Sequence, residues 1–406
     1  MPPIETESDE KEIEDEELPD AAYEDEEIPE DADGMFLLGM VIDTHNNTYF
    51  GPRGIEYNLI RVPIGGSDFS THPYTYNEHP WHDAKLSNFS LTEEDLSQML
   101  ATDEIKITAS TWSPPVWMKT NERITGFGQL RPEYYQAYAD YHIRFIEEYL
   151  KANVKIWAIT TTNEPLNGII PIVQFNSLGW TPAQLVANNL GPTIRNSRFN
   201  DTLILAVDDQ RYILPVWLLG MEREDPKSIE YIDGIAIHYY GNFFPASILS
   251  RLQQRYPNKI LLSTEACEGP MPWDLNKVEI GSWRRARRYT TSIMQDLNNH
   301  VVGWIDWNLC LDPTGGPNWA NNFVDAPILI YGDQDEFIKQ PMYYAMGHFS
   351  KFIPRGSRRI RVSRRSLIIN PGNGQQHSPQ HRSPSRQPRV MIMANLPMKS
   401  IQTGVL

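Results

Sequence analysis

Residues 156–165, IWAITTTNEP, constrain this chain more than any other stretch. The run is apolar and β-branched at first, with no polar alternation. It therefore reads as a parallel strand buried on both faces. Polarity enters only at its end, with Thr161, Thr162, Asn163 and Glu164. Pro165 then stops the strand and disfavours helix at Glu164. A carboxylate at the C-terminal end of a buried parallel strand is where (β/α)8 barrels put catalytic groups. Taken alone, the tripeptide Asn-Glu-Pro could equally be a solvated loop.

Residues 259–267, KILLSTEAC, repeat the pattern: a short apolar run with Glu265 at its polar end. The separation, 265 − 164 = 101 residues, leaves room for two intervening βα units. Two carboxylates on the ends of two barrel strands face one pocket. Retaining cleavage of a glycosidic bond needs such a pair about 5–5.5 Å apart, one a protonated acid and the other an ionised nucleophile.

Further strand candidates lie at 55–64, 105–111, 203–207, 234–239 and 301–308, which makes seven with the two above. Helical patterns fall between them at 91–100, 132–152, 181–190, 226–231, 245–256 and 283–299. Such alternation predicts an α/β fold, a parallel (β/α)8 barrel rather than a sandwich. One strand is missing and should precede Ile55. The run 35–42, MFLLGMVI, could fill the place. A seven-stranded barrel leaves unpaired backbone groups at two edges, each costing ~1–3 kcal/mol if buried. Several together rival the roughly 5–15 kcal/mol net stability of a domain, so a weakly folded or weakly active chain is expected.

Charge is unevenly spread. Residues 1–34 hold 17 acidic groups and one lysine, and 355–406 hold ten Lys/Arg and no acid. The expected division is an acidic disordered tail at 1–34, a glycosidase barrel at 35–354, and a basic, partly disordered β remnant at 355–406, with Ser, Pro, Gln and Arg dominating 372–388 and a candidate strand at 390–395. The intervening net charge, −16 + 16 − 10 = −10, argues against nucleic-acid binding. Cys267 and Cys310 are the two cysteines, expected as free thiols and too few for a disulfide framework or a metal site. The first residues carry no signal-peptide pattern. Sequons at Asn46, Asn88 and Asn200 nonetheless hint at a lumenal route.

The segments IRVPIGGSDFS, WAITTTNEP, LGPTI, VDDQR, LSTEAC, GSWRRARRYTTSI, VVGWIDWN, GGPNW and KQPMYYAMGHFSKFIP together resemble the glucosylceramidases, the acid β-glucosidases of glycoside hydrolase family 30. The resemblance runs from about Gly54 to Pro354. It implies a (β/α)8 barrel joined to a β-sandwich, and retaining hydrolysis of glucosylceramide to glucose and ceramide in sphingolipid catabolism. It also implies no cofactor or metal, a lysosomal or secretory location, peripheral contact with a membrane surface, and a saposin-type activator. Motif by motif, Glu164 corresponds to the acid/base and Glu265 to the nucleophile. Asn163 matches the residue that binds the sugar 2-hydroxyl. Asp68 and Trp112 match glucose-binding positions, Tyr240 the tyrosine on the nucleophile, Trp307 and Asn322 the far wall of the sugar pocket, and Arg61 an arginine near the nucleophile. The family's first barrel strand and most of its sandwich have no counterpart, so the chain resembles that enzyme truncated at both ends. An inactive glycolipid-binding or incomplete fragment is the alternative reading.

On this basis Arg61 and Tyr240 are expected to favour the ionised form of Glu265. Arg61 could instead pair with a scaffold carboxylate, and Trp112 and Trp307 could be core rather than sugar platforms. His238 is expected to orient its neighbours, and Asp208-Asp209 to be structural. Apolar loops at 169–175, Phe243-Phe244 and Trp273 suit ceramide chains, a membrane surface or loop packing.

Overall fold

Seven parallel strands pair in chain order: β1 (Leu59–Ile64), β2 (Lys106–Thr111), β3 (Ile156–Thr160), β4 (Leu203–Gln210), β5 (Gly234–His238), β6 (Ile260–Glu265) and β7 (Val301–Trp304). The computed structural model describes residues 49–50, 54–97, 105–171, 173–179 and 182–360. The acidic tail, the run 35–42, and the expected features at 372–388 and 390–395 lie outside the described residues.

Helices separate the strands. α1 (Tyr135–Lys151) follows β2, α2 (Leu214–Glu224) follows β4, α3 (Ser247–Arg255) follows β5 and α4 (Trp283–Asn298) follows β6. Between β3 and β4 three short helical pieces run on from one another, Ala183–Leu185, Val186–Leu190 and Gly191–Arg195. In α1, residues Tyr138, Tyr141, Phe145 and Tyr149 recur at three- and four-residue spacing and are all buried, which explains why this stretch is a core-facing helix. α4 starts where the Ser282 side chain accepts the Arg285 N–H, an N-cap.

The period of two in each strand sorts side chains into two layers. Ile159, Ile204, Ile235 and Leu261 join the large core shared with the helices. Their neighbours Ala158, Leu205, Ala236 and Leu262 form a separate cluster with Leu59. Curling brings β1 close to β6 and β7: a Cβ on Gly303 would lie 2.8 Å from both Leu59 and Leu262. The sheet is thus that of a (β/α)8 TIM barrel. β1 and β7 are not hydrogen-bonded to each other, and among the described residues no strand lies between them. Beside this seam, Tyr49, Tyr57, Tyr289 and Tyr343 pack in one buried cluster, and the Tyr49 hydroxyl donates to the Leu309 carbonyl.

A second sheet of three short strands lies beside the barrel, within the stretch expected as barrel rather than in the expected remnant at 355–406. β8 (Cys310–Leu311) pairs in parallel with β9 (Ile328–Tyr331), which pairs antiparallel with β10 (Glu336–Lys339). α5 (Pro341–Ser350) follows, and its Met342, Tyr343 and Met346 pack against Tyr289 and Ile293 of α4. Pattern reading did not resolve α2, α5 or these short strands. Their apolar stretches are too short or too continuous to show a period. Both cysteines are free, Cys267 buried and Cys310 partly so.

Candidate active site

β3 ends against both neighbours. The Asn163 N–H donates to Thr111 O of β2 at 2.8 Å, and the Glu164 N–H donates to Asp208 O of β4 at 3.0 Å. Glu164 takes φ +37°, left-handed backbone that a side chain rarely adopts. β4 runs three residues past the end expected from sequence. It carries a bulge there, with Val207 at φ +75° and Asp208 at φ +55°. A bulge re-aims side chains near active sites. Here it sets Asp208 on Arg61 of β1 and Gln210 on Glu164 at the end of β3.

Glu164 and Glu265 meet at His238: one oxygen of each and a ring nitrogen lie within 4.8 Å of one another. His238 Nδ1 is 2.9 Å from Glu164 Oε1 and 3.7 Å from Glu265 Oε1. Glu164 also accepts from Gln210 Nε2 at 2.8 Å and from Asn167. Glu265 accepts from Arg61 Nη1 at 2.7 Å and from the Tyr240 hydroxyl at 2.9 Å. Arg61 reaches further: its Nη2 donates to Asn163 Oδ1 at 2.6 Å and to Asp208 Oδ2 at 2.7 Å. Both sequence readings of Arg61 therefore hold at once, since it binds Glu265 and a scaffold carboxylate.

Asp208 is the buried hub. Besides Arg61 it accepts from Ser110 and Thr264 hydroxyls at 2.7 and 2.6 Å, and its Oδ1 is 3.1 Å from His238 Nε2. Burial disfavours its charge, but Arg61, His238 and these donors hold the carboxyl well below the ordinary range. His238 is fully buried, which alone would neutralise it. Glu265, Asp208 and Glu164 outweigh that and raise it to about 10, so it is an imidazolium at neutral pH. For Glu265, burial pushes the carboxyl up and the Glu164 charge adds to this, while His238, Arg61 and Tyr240 oppose both. Arg61 and Tyr240 thus act in the expected direction, but burial outweighs them.

Around this centre lies a ring of aromatic and amide groups. Trp112 stacks on Trp307 with centroids 4.8 Å apart, and the Arg61 guanidinium lies 4.5 Å from the Trp112 ring centroid. Trp112 is buried against them, while Trp307 is partly exposed. Asp68 accepts from Asn322 Nδ2 at 2.9 Å and Asn318 Nδ2 at 3.3 Å. Burial raises Asp68 to about 7, with those two amides opposing and Glu265 adding to the rise. Arg61, Asn163, Glu164, Tyr240 and Glu265 are thus joined directly by hydrogen bonds through His238 and Asp208. Trp112 and Trp307 stack beside Arg61, and Asp68 and Asn322 form a separate pair. Gln210 and Asn318 were not singled out from sequence. Gln210 lies three residues beyond the expected strand end, so only the bulge brings it in.

The chain also has relatives of known family. The sequence profile of the glycosyl hydrolase family 30 TIM-barrel domain matches residues 30–353. The lysosomal acid glucosylceramidase of Mus musculus is 41% identical over 351 residues, covering 81% of this chain and 67% of that protein. Among solved structures, SrfJ from Salmonella typhimurium superposes with a TM-score of 0.69 at 27% identity, covering 78% of this chain and 71% of that one. An endo-β-1,6-glucanase gives a TM-score of 0.67, also at 27% identity, over 80% of this chain and 73% of that one. With the profile spanning most of the barrel and two strand-end glutamates converging on one buried histidine, the chain belongs to glycoside hydrolase family 30 and is a glycoside hydrolase.

Proposed function

We propose that this chain is a retaining β-glucosidase that hydrolyses glucosylceramide to glucose and ceramide, with Glu265 as nucleophile and Glu164 as acid/base. The observation that carries the mechanism is that one oxygen of each carboxylate and a ring nitrogen of His238 lie within 4.8 Å of one another, in keeping with the short separation of retaining enzymes. Arg61 pairs with Glu265 and favours its anion, whereas Glu164 is held by Gln210, Asn167 and His238. The similarity to a lysosomal acid glucosylceramidase supports the substrate.

In the first step a Glu265 oxygen bonds to the anomeric carbon as the bond to the leaving oxygen breaks. That oxygen takes the proton of Glu164, which releases ceramide. In the second, water gives a proton to Glu164 and its oxygen bonds to the anomeric carbon, while the glucosyl ester to Glu265 breaks. Asn163, fixed by Arg61, is the donor for the sugar 2-hydroxyl, and Asp68 with Asn322 takes other hydroxyls. Trp307, and Trp112 stacked beneath it, form an apolar wall for the ring, and Tyr240 steadies the nucleophile.

Exposed apolar side chains in the loops after β5 and β6, namely Phe243, Trp273 and Leu275, with Trp283 at the start of α4, suit peripheral contact with a lipid surface where this substrate resides. No helix among the described residues is long and apolar enough to cross a membrane. A lysosomal or secretory setting and a saposin-type activator belong to the same reading. Asn88 and Asn200 of the sequons are exposed.

The test is covalent trapping with an activated 2-deoxy-2-fluoro-β-glucoside. The expected result is one added fluoroglucosyl group on the peptide containing Glu265, and β-glucose as the first product by NMR. A first-formed α-anomer would overturn retention. Among the described residues β1 and β7 do not pair, and this favours the second reading, a glycolipid-binding fragment without turnover. That reading requires binding with neither adduct nor product.

A further inference from the structure

Asp209 stands behind the Glu164 turn, and the reaction as described does not use it. It is 1% exposed. Its Oδ2 accepts the N–H of Leu166 at 3.0 Å, and its Oδ1 accepts the N–H of Gln210 at 2.7 Å. Leu166 lies two residues beyond Glu164, and Pro165 between them has no N–H to offer. The Leu166 amide is therefore the first backbone donor downstream of Glu164, and a side chain takes it. Upstream, the Glu164 N–H is held by the carbonyl of Asp208. Two consecutive residues of the β4 bulge thus hold both ends of a turn whose first residue is at φ +37°. Such backbone is sparsely populated and persists only where its surroundings over-determine it. The next residue of the bulged strand completes the hold. Gln210 donates from Nε2 to Glu164 Oε1 and accepts the Gly241 N–H at 2.8 Å.

We propose that Asp209 is a positioning residue for Glu164: by holding the Leu166 amide it maintains the left-handed turn that aims the carboxyl of Glu164 at the glycosidic oxygen. The proposal rests on the assignment of Glu164 as acid/base. It goes beyond that assignment by naming what fixes the acid. Burial, and then the Glu164 charge, push Asp209 up to about 7. Protonation leaves the hold intact, because a neutral carboxyl keeps a carbonyl oxygen for the amide.

Leaving-group dependence tests this. An alkyl β-glucoside needs its leaving oxygen protonated, whereas 2,4-dinitrophenyl β-glucoside departs unaided. In the full chain, E164Q should lose ~10²-fold or more of kcat/KM on the alkyl glucoside and little on the dinitrophenyl one. D209A should show the same selectivity, at least ~10-fold on the alkyl glucoside and under ~3-fold on the other, because displacing an acid weakens general acid catalysis alone. D209N retains one acceptor and should recover part of the alkyl activity. A merely structural role would lower both substrates in proportion. If E164Q is selective and D209A is not, the positioning proposal falls alone. If E164Q itself shows no selectivity, the acid/base assignment falls and takes the proposal with it.

Discussion

Arg61 decides how the site's charges coexist. One guanidinium bonds to Glu265, Asn163 and Asp208, and the buried His238 imidazolium closes the other side. Truncation would leave two buried carboxyls without their shared cation. Breaking a buried ion pair costs ~3–5 kcal/mol, so R61A is expected to lower the denaturant midpoint markedly as well as abolish turnover. R61K keeps the charge but not the planar fork, and should regain more stability than activity. An R61A midpoint equal to that of the parent protein would show that Asp208 does not depend on Arg61. The sequence motif placed Arg61 near the nucleophile. It could not show that Asp208, read there as structural, ties the same arginine to His238.

At the scale of elements, the loop after β3 is built on glycine backbone. Gly128 N–H donates to Gly168 O at 3.0 Å, and Gly179 N–H donates to Gly128 O at 2.7 Å. A Cβ on Gly168 would lie 1.9 Å from the Gly179 nitrogen and 2.1 Å from the Leu178 carbonyl carbon, neither of which can turn aside. Asn167, which donates to Glu164, is the adjacent residue. G168A is therefore expected to cost at least ~1–3 kcal/mol, the range for overpacking, and to lower activity together with stability. Gly281 is the contrast. It sits at φ +71° with nothing within 4 Å of an added Cβ. G281A should carry only the left-handed backbone cost of roughly 1–2 kcal/mol and leave kcat unchanged. Thermal melts and kinetics on the pair check both, and equal losses would refute the packing argument.

Across the whole molecule, buried acids link stability to pH. Burial raises Asp68, Asp209 and Asp296 to about 7 and Asp306 to about 8. A carboxyl with a raised folded pKa binds more protons folded than unfolded. Its stabilisation is full below the ordinary carboxylate value and is lost as pH rises through the folded value. His238, raised to about 10, acts in the same sense above its ordinary value. His142, lowered to about 4 by burial, opposes from there up to its ordinary value, and Lys119, lowered to about 7 by burial, opposes above 7. Four carboxyls against one histidine set the sign between about pH 4 and pH 7, so Tm should fall as pH rises through that window. D306N removes one contributor and should flatten the fall between about pH 5 and pH 8. An unchanged slope would rule out Asp306 as a source. On the surface, Trp273 and Leu275 are 74% and 94% exposed. W273S/L275S should leave stability within about 0.5 kcal/mol yet reduce co-sedimentation with anionic lipid vesicles. Full retention of vesicle binding would exclude this loop from the proposed lipid contact.

Seven strand runs, their order and the place of Glu164 and Glu265 at the ends of two of them were legible in the sequence because buried parallel strands are continuous apolar runs. A polar residue at the end of such a run marks the catalytic face without help from any other part of the chain. The division at residues 34 and 354 rests on composition alone, since residues 1–48 and 361–406 lie outside those described. What only the tertiary structure decided was which groups share the space at the strand ends. The β4 bulge inserts one residue against β5, and a period-two pattern cannot register an insertion that depends on a neighbouring strand. It is that bulge, with Val207 and Asp208 in left-handed backbone, that brings Asp208 onto Arg61 and His238 and lets Asp209 take the Leu166 amide. The protonation of His238 follows in turn, because it depends on three carboxylates from three different strands meeting in a site without water's dielectric to separate them.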